Sequence, residues 1–453
     1  MKGDSTGKDI TIKQLSITIP FCKLEFAQKL RKEKVMLIKT ILNHCQKFNS
    51  FVYQNVYFVK DHMNNPRIIV DIESRKNGKK LCSICKMQCS GYDRLNARHF
   101  MFIPIWGIPV YFHYARRRVK CPIHGVVVEY IPWADGKSHL TNTFKIYLSQ
   151  WAKYLSWKKV AEIFKVHWHH VFESVEHVVE YGLNHRCLEG IQTIGIDEIQ
   201  YHTRHKYLTL VYQIDSHRRR LLYIGKDRTV KPLLRFFHNF GKPRTLALHA
   251  ICCDMWKPYL KVIKKKAPQA LNILDRFHIM KKFNDAIDKT RRKEAQKLKE
   301  DGYEQILKNS RWCLLKNKNK QSESQLAKLR ELLKYNLKSV KCMLLREAFQ
   351  KFWTYIRIGW AKKFFDQWIQ RAKSSNLEEM IAVARTLERH EELIFNWFRT
   401  EKRVSNGIVE GYNNKAKLTM RKAYGFKQFR SIEIALYHQL GDLPEPILAH
   451  KFF

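Results

Sequence analysis

The sequence predicts an α/β protein: a mixed sheet with helices packed on it, preceded by a small Cys/His module and a run of helices. Three observations predict this. From residue 191 onward, strand-like and helix-like segments follow the order β-β-β-α-β-α-β-α. Upstream, two short Cys/His pairs with 35 residues between them lie in turn-forming surroundings. Between module and sheet, residues 140–187 carry apolar side chains at helical spacing.

The chain has 453 residues, 45% of them hydrophobic, enough for two to four domains and too many for a mainly disordered protein. Its 84 Lys+Arg face 41 Asp+Glu, a net charge of +43. Such a surface repels itself unless a polyanion lies against it, and nucleic acid is the obvious polyanion. There is no long apolar run and no isolated basic amphipathic helix, which argues against a membrane. The N-terminal MKGDSTGKDI lacks the apolar region of a secretory signal. Eleven cysteines, an odd number over a long chain, point to a reducing cytosol where clustered cysteines bind metal.

Residues 1–75 form an N-terminal segment that the sequence does not assign. It holds Lys-rich patches, alternating apolar residues at Phe51, Tyr53, Val56 and Phe58, and a strand-like RIIVDI at 67–72. Residues 76–135 form the Cys/His module. Cys82 and Cys85 make one knuckle, and Cys121 and His124 make the other. Together they supply the four ligands that tetrahedral Zn²⁺ needs, with Cys89 as a substitute. The aromatic stretch between them reads as strands of a zinc ribbon. Four protein ligands leave no open position, so this zinc is structural.

Residues 136–187 read as a helix-turn-helix region. Ser156 is placed to cap one helix, Val160, Ile163 and Phe164 give it an apolar face, and a break at 165–167 leads into the next. A plain helical hairpin is the alternative. Residues 188–289 hold the first part of the sheet. Strands are expected at 191–197, 206–215, 220–226, 245–254 and 270–275, and helices at 229–240, at 258–266 and after 276. Residues 290–400 read as helices almost throughout, and 401–453 contain a final basic helix.

Asp197 closes the first of these strands and Asp254 the fourth, so neighbouring strands would bring both carboxylates to one edge. A third acid, Glu410, stands alone among six Lys/Arg between residues 405 and 430. A lone carboxylate in a basic segment makes sense if it holds a divalent cation. Three carboxylates suit two Mg²⁺ ions, which take hard oxygen ligands and keep positions for water and phosphate. Capping or ion pairing is the alternative for each acid; Glu198 and Asp275 show how common acids at strand ends are.

Four stretches carry a family resemblance: GIDE at 195–198, CDMWKPY at 253–259, LDRFHIMKKFNDAID at 274–288 and VEGYNNKAKLTMRKAYGFKQF at 409–429. They resemble bacterial insertion-sequence transposases of the ISL-three family, over roughly residues 76–440. The resemblance implies a ribonuclease-H-like catalytic core with an all-helical insertion, behind a zinc ribbon and a helix-turn-helix. It also implies a DDE triad, which maps onto Asp197, Asp254 and Glu410. The insertion accounts for the 156 positions from Asp254 to Glu410. Asp275 and His278 match the family pattern and read as supports of the core. The chain departs from the pattern at His124, where such ribbons often carry a second Cys, and in a longer, more basic N-terminus.

The expected function is therefore that of a DNA transposase. It would use two catalytic Mg²⁺ ions (or Mn²⁺) to hydrolyse 3′ strands at the ends of its element and join them to target DNA. Lys415, Lys417, Arg421 and Lys422 would grip phosphates. Double-stranded DNA is the partner, at least a dimer forms on it, and the setting is the bacterial cytoplasm at the nucleoid. A catalytically silent DNA-binding regulator and an RNA-binding factor are the rivals.

Overall fold

The computed structural model describes residues 37–202, 206–303, 306–400, 407–422, 426 and 428–447. The first 36 residues, residues 401–406 and the AYG of the RKAYGF stretch lie outside the described residues. The described chain falls into two compact units, 37–144 and 145–447.

The first unit opens with helix α1 (Ile38–Cys45) and contains a five-stranded sheet. Its strands are β1 (Phe51–Lys60), β2 (Pro66–Ser74), β3 (Ser90–Ile105), β4 (Ile108–Cys121) and β5 (Gly125–Val128). The order is β1-β2-β4-β3, with β5 also paired to β4. β2 runs parallel to β4 and the other pairs are antiparallel. Residues 51–74, unassigned from sequence, thus share one sheet with the Cys/His module. The core forms around Trp133, fully buried, whose ring lies 4.9 Å from Phe51 and 5.3 Å from Tyr114. Arg117 and Glu129 form a buried ion pair at 2.6 Å. Glu129 also accepts from the Tyr114 hydroxyl and the Arg117 backbone N–H, so its buried charge is fully partnered.

Three helices follow: α2 (Asn142–Tyr154), α3 (Trp157–Phe164) and α4 (Trp168–His185). Ser156 caps α3 by accepting the Lys159 N–H, and Lys165, at φ 52°, turns the chain out of it. Both features match the sequence reading.

The sheet of the second unit comprises β6 (Thr193–His202), β7 (Lys206–Ile214), β8 (Arg219–Lys226), β9 (Ala250–Cys253) and β10 (Leu271–Leu274). Its order is β10-β9-β6-β7-β8. β6, β9 and β10 are parallel; β6, β7 and β8 form an antiparallel meander. Two expectations need correction. The apolar run at 245–254 is not one strand. Gly241, at φ 89°, and Pro243 start a short helix, so only Ala250–Cys253 pairs in the sheet. Asp197 does not end its strand either. The antiparallel ladder to β7 continues past it, pairing Gln200 with Tyr207.

Helices α5 (Val230–Phe240), α6 (Lys242–Leu246) and α7 (Lys257–Lys266) accompany this sheet. α5 and α7 cover one face, where Phe236, Phe237 and Tyr259 pack with Ile194, Ile196 and Ile251. After β10 the chain enters a helical layer: α8 (Arg276–Glu300), α9 (Arg311–Leu315), α10 (Glu323–Leu332), α11 (Lys338–Gln350), α12 (Ile358–Lys373), α13 (Glu378–Arg389) and α14 (Glu391–Arg399). α8 is continuous, so the layer starts at residue 276 and has no break at 290. It buries its own aromatic core of Phe283, Phe349, Phe352, Phe365 and Trp368. α14 returns to the sheet, where Asn396 Nδ2 donates to the Asn272 carbonyl at 2.8 Å. The last helices are α15 (Gly407–Lys422) and α16 (Phe429–Leu440). Among the described residues no helix is long and apolar enough to cross a membrane.

Candidate active site and metal centre

The parallel register decides where the acids fall. Ile194 lies beside Ile251 and Gly195 beside Cys252. Continued by two residues, that register sets Asp197 level with Asp254, which directly follows β9. Leu274 pairs with Cys253, so Asp275 comes level as well. Three aspartates stand abreast where the parallel ladders end, the edge at which open α/β sheets bind ligands.

The carboxylates are held differently. Asp197 Oδ1 accepts the Glu198 N–H at 2.8 Å and Oδ2 accepts Asn413 Nδ2 at 2.6 Å. Burial pushes the Asp197 carboxyl above the ordinary range; Asp275 and Asp254 add to this, while the Glu198 N–H and His278 oppose it. Asp254 accepts the Trp256 N–H at 2.9 Å and Arg228 Nη2 at 3.4 Å. Asp275 is buried and caps α8 through the Phe277 N–H at 2.8 Å, with His278 Nδ1 at 3.4 Å. That fits the supporting role expected of Asp275 and His278. Glu198 alternates to the opposite face from Asp197. Its side chain is 6% exposed, and burial, then Asp254, push its pKa up to about 7. Like-charged buried oxygens at one edge are the donor set Mg²⁺ takes, and a divalent cation would relieve their repulsion.

α15 is fixed on that sheet by a close approach. A Cβ on Gly195 would fall 2.3 Å from Val409 Cγ2, so only glycine lets the helix lie there. One turn on, Asn413 accepts the Tyr212 hydroxyl at 2.9 Å while its amide reaches Asp197. Glu410 lies in the first turn of α15, exposed. It shares a helical stripe with Lys417 and Arg421. Those two basic residues line a groove of about 610 Å³ with Glu198, Gln200, Tyr201 and Met420. The other two expected phosphate contacts lie elsewhere. Lys415 Nζ sits 5.3 Å from the Tyr412 ring, beside a separate cavity of about 340 Å³. Lys422 Nζ donates to the Lys153 carbonyl at 2.9 Å.

In the first unit, Cys82, Cys85, Cys121 and His124 bring their ligand atoms within 4.8 Å of one another. Among the described residues the sheet-edge carboxylates form no group this tight. The Cys85–Cys121 sulfurs are 3.7 Å apart, and His124 Nδ1 is 3.7 Å from Cys82 Sγ and 3.6 Å from Cys121 Sγ. Tetrahedral zinc with standard bond lengths has sulfur–sulfur edges of about 3.8 Å and sulfur–nitrogen edges of about 3.6 Å. The local chain explains the fit. Lys86 at φ 60° closes the first knuckle, with the Ile84 N–H on Cys82 Sγ at 3.4 Å, and Gly125 at φ 66° closes the second. Cys89 donates to the Met87 carbonyl at 3.3 Å and stands outside the group.

A family model described as transposase, for DDE transposases of the ISL-three type, matches residues 194–436, more than half of the chain. The chain belongs to the ISL-three family of insertion-sequence transposases. It is 28% identical over 350 residues to the transposase for insertion sequence element IS1001 of Bordetella parapertussis, covering 77% of this chain and 85% of that protein. It is 26% identical over 422 residues to the transposase for insertion sequence element IS1557 of Mycobacterium tuberculosis, covering 87% and 93%. The matched region of this transposase starts in β6 and ends in α16, so it contains Asp197, Asp254 and Glu410. Sequence reasoning overlooks two residues beside these acids, Arg228 and Asn413, and the buried placement of Glu198. Only Asn413 gives a signal, because two adjacent asparagines are poor choices inside a helix unless one has a partner.

Proposed function

We propose that this transposase binds the terminal inverted repeats of its element, hydrolyses the 3′ strand at each end, and transfers the freed 3′-OH to target DNA. Asp197, Asp254 and Glu410 would hold two Mg²⁺ ions, for which Mn²⁺ can substitute. The observation that carries this reading is the level placement of Asp197 and Asp254 on adjacent parallel strands, with α15 tied to Asp197 through Asn413. When bound, the ions activate a hydroxyl on one side of a phosphodiester and stabilise the leaving oxygen on the other.

The chain's own residues bind and orient. Asn413 and the Glu198 N–H fix both oxygens of Asp197, which stands between the strand leading to Asp254 and the helix bearing Glu410. Lys417 and Arg421 hold the DNA strand in the groove beside Glu198; Lys415 and Lys422 belong to the same basic helix but serve it less directly. No serine or tyrosine nucleophile is required. Structural Zn²⁺ on Cys82, Cys85, Cys121 and His124 would lock the zinc-ribbon turns. That module would read the repeats together with α3 and α4, a helix-turn-helix whose second helix starts with the exposed Trp168. Two element ends must be joined, so the working form is at least a dimer on duplex DNA, in the bacterial cytoplasm at the nucleoid.

The test is strand-specific nicking of linear duplex carrying the element's ends. The expected result is a nick leaving a 3′-OH at each end with Mg²⁺, none with chelator, and none on scrambled ends. Intact DNA under all conditions contradicts the proposal.

A further inference from the structure

An arginine reaches the acidic edge and is held there only loosely. β8 ends at Lys226, which pairs with Leu208, and Leu208 pairs with Ile199. The turn after β8 therefore emerges at the edge that carries Asp197 and Asp254. Arg228 lies in that turn, its guanidinium carbon 5.7 Å from the Trp256 ring and 5.9 Å from the Tyr207 ring. Its Nη2 is 3.4 Å from Asp254 Oδ2 and its Nε is 3.6 Å from Glu198 Oε2. Closed guanidinium–carboxylate bonds run about 2.7–2.9 Å, so Arg228 is held loosely, by a long hydrogen bond to Asp254 and at ion-pair distance from Glu198. Its side chain remains 42% exposed, while the Glu198 side chain is 6% exposed and also meets the Tyr259 hydroxyl.

We propose that Arg228 is the residue that contacts the phosphate undergoing cleavage. Its planar fork suits a phosphate, it stands beside the second acid, and its side chain stays open to solvent. Glu198 is its positioning residue, with Oε2 3.6 Å from Nε on one side while Nη2 meets Asp254 on the other. This rests on the transposase reading above and adds a residue to it.

The experiment measures binding in chelator, where no cleavage competes. Duplex bearing the element's ends is made with an ordinary phosphate or an uncharged methylphosphonate at the cleavage position. Arg228→Ala should weaken binding to the phosphate duplex about tenfold and leave the methylphosphonate duplex unchanged, as loss of one charge-assisted contact requires. Arg228→Lys should recover part of the difference, and the isosteric Glu198→Gln should show the same selective loss, smaller in size. Equal losses on both duplexes, or no loss on either, would overturn the assignment of Arg228. A non-selective Glu198→Gln loss would remove Glu198 from its positioning role. Wild-type nicking with Mg²⁺, run alongside, separates the two claims: nicking with a non-selective Arg228→Ala sinks only this inference, whereas absent nicking sinks the transposition reading.

Discussion

His438 shows what burial does to a single side chain in this unit. Burial, then Lys153 and Lys422, pull its pKa down to about 3, and Nε2 has no hydrogen-bond partner among the described residues. The unfolded chain takes up a proton near the ordinary pKa of 6.5, whereas the folded chain does not until about pH 3. Between those values the unfolded state binds more protons, so the stability His438 provides is complete above pH 6.5 and is lost as the pH falls. Unfolding midpoints in urea should therefore drop by the equivalent of about 2 kcal/mol from pH 6.5 to pH 5. The drop should be much smaller in His438→Leu; an equal drop in the variant would remove this histidine as its cause. Residues of this kind are hard to read in a sequence. Asp197 and Asp254 are legible because they interrupt apolar strands. Arg228 is not, because nothing near it in sequence reveals that the turn after β8, with two strands between β8 and β9, brings its side chain to Asp254. The strand end expected at Asp197 shows the same limit: the polarity of the chain changes there, but the partner strand, not the residue itself, decides where pairing stops.

Two elements, each in its own unit, hang on small local features. α15 lies on β6 only because residue 195 has no side chain. Gly195→Ala should force Val409 and the helix outward, costing about 1–3 kcal/mol of stability. It should lower nicking at least tenfold while zinc content stays constant, measured by thermal unfolding, nicking rate and metal analysis. Undiminished nicking would mean that α15 does not set the site. The Cys/His knuckles are the second element. If the Cys/His group binds zinc as proposed, Cys82→Ser should abolish that binding, whereas Cys89→Ser should retain it, because the Cys89 thiol already faces the Met87 carbonyl. Metal analysis of the purified variants decides; zinc retained in Cys82→Ser contradicts the cluster. The knuckles are legible because ligand spacing is local. The sheet they belong to is not: β2 pairs in parallel with β4 across the whole module, and such pairing leaves no trace in either segment. Likewise α8 reads as basic helix from sequence, but only packing of Phe283 against Phe349 and Trp368 shows that it opens the helical layer.

At the scale of the chain, a charge of +43 selects a polyanion, and the order of elements decides where that polyanion meets chemistry. Two acids come from adjacent parallel strands. The third returns only after a helical layer that fills most of the 156 positions since Asp254 and brings α14 back against β10 before α15 begins. The central claim is that these three carboxylates form one centre. It is tested most directly by strand nicking on linear duplex bearing the element's ends, comparing wild type with Asp197→Asn, Asp254→Asn and Glu410→Gln at equal DNA occupancy. Each variant should bind the duplex as wild type does and nick at least about a thousandfold more slowly, as loss of a group that stabilises the transition state entails. Nicking within a few-fold of wild type in any one of the three would contradict it.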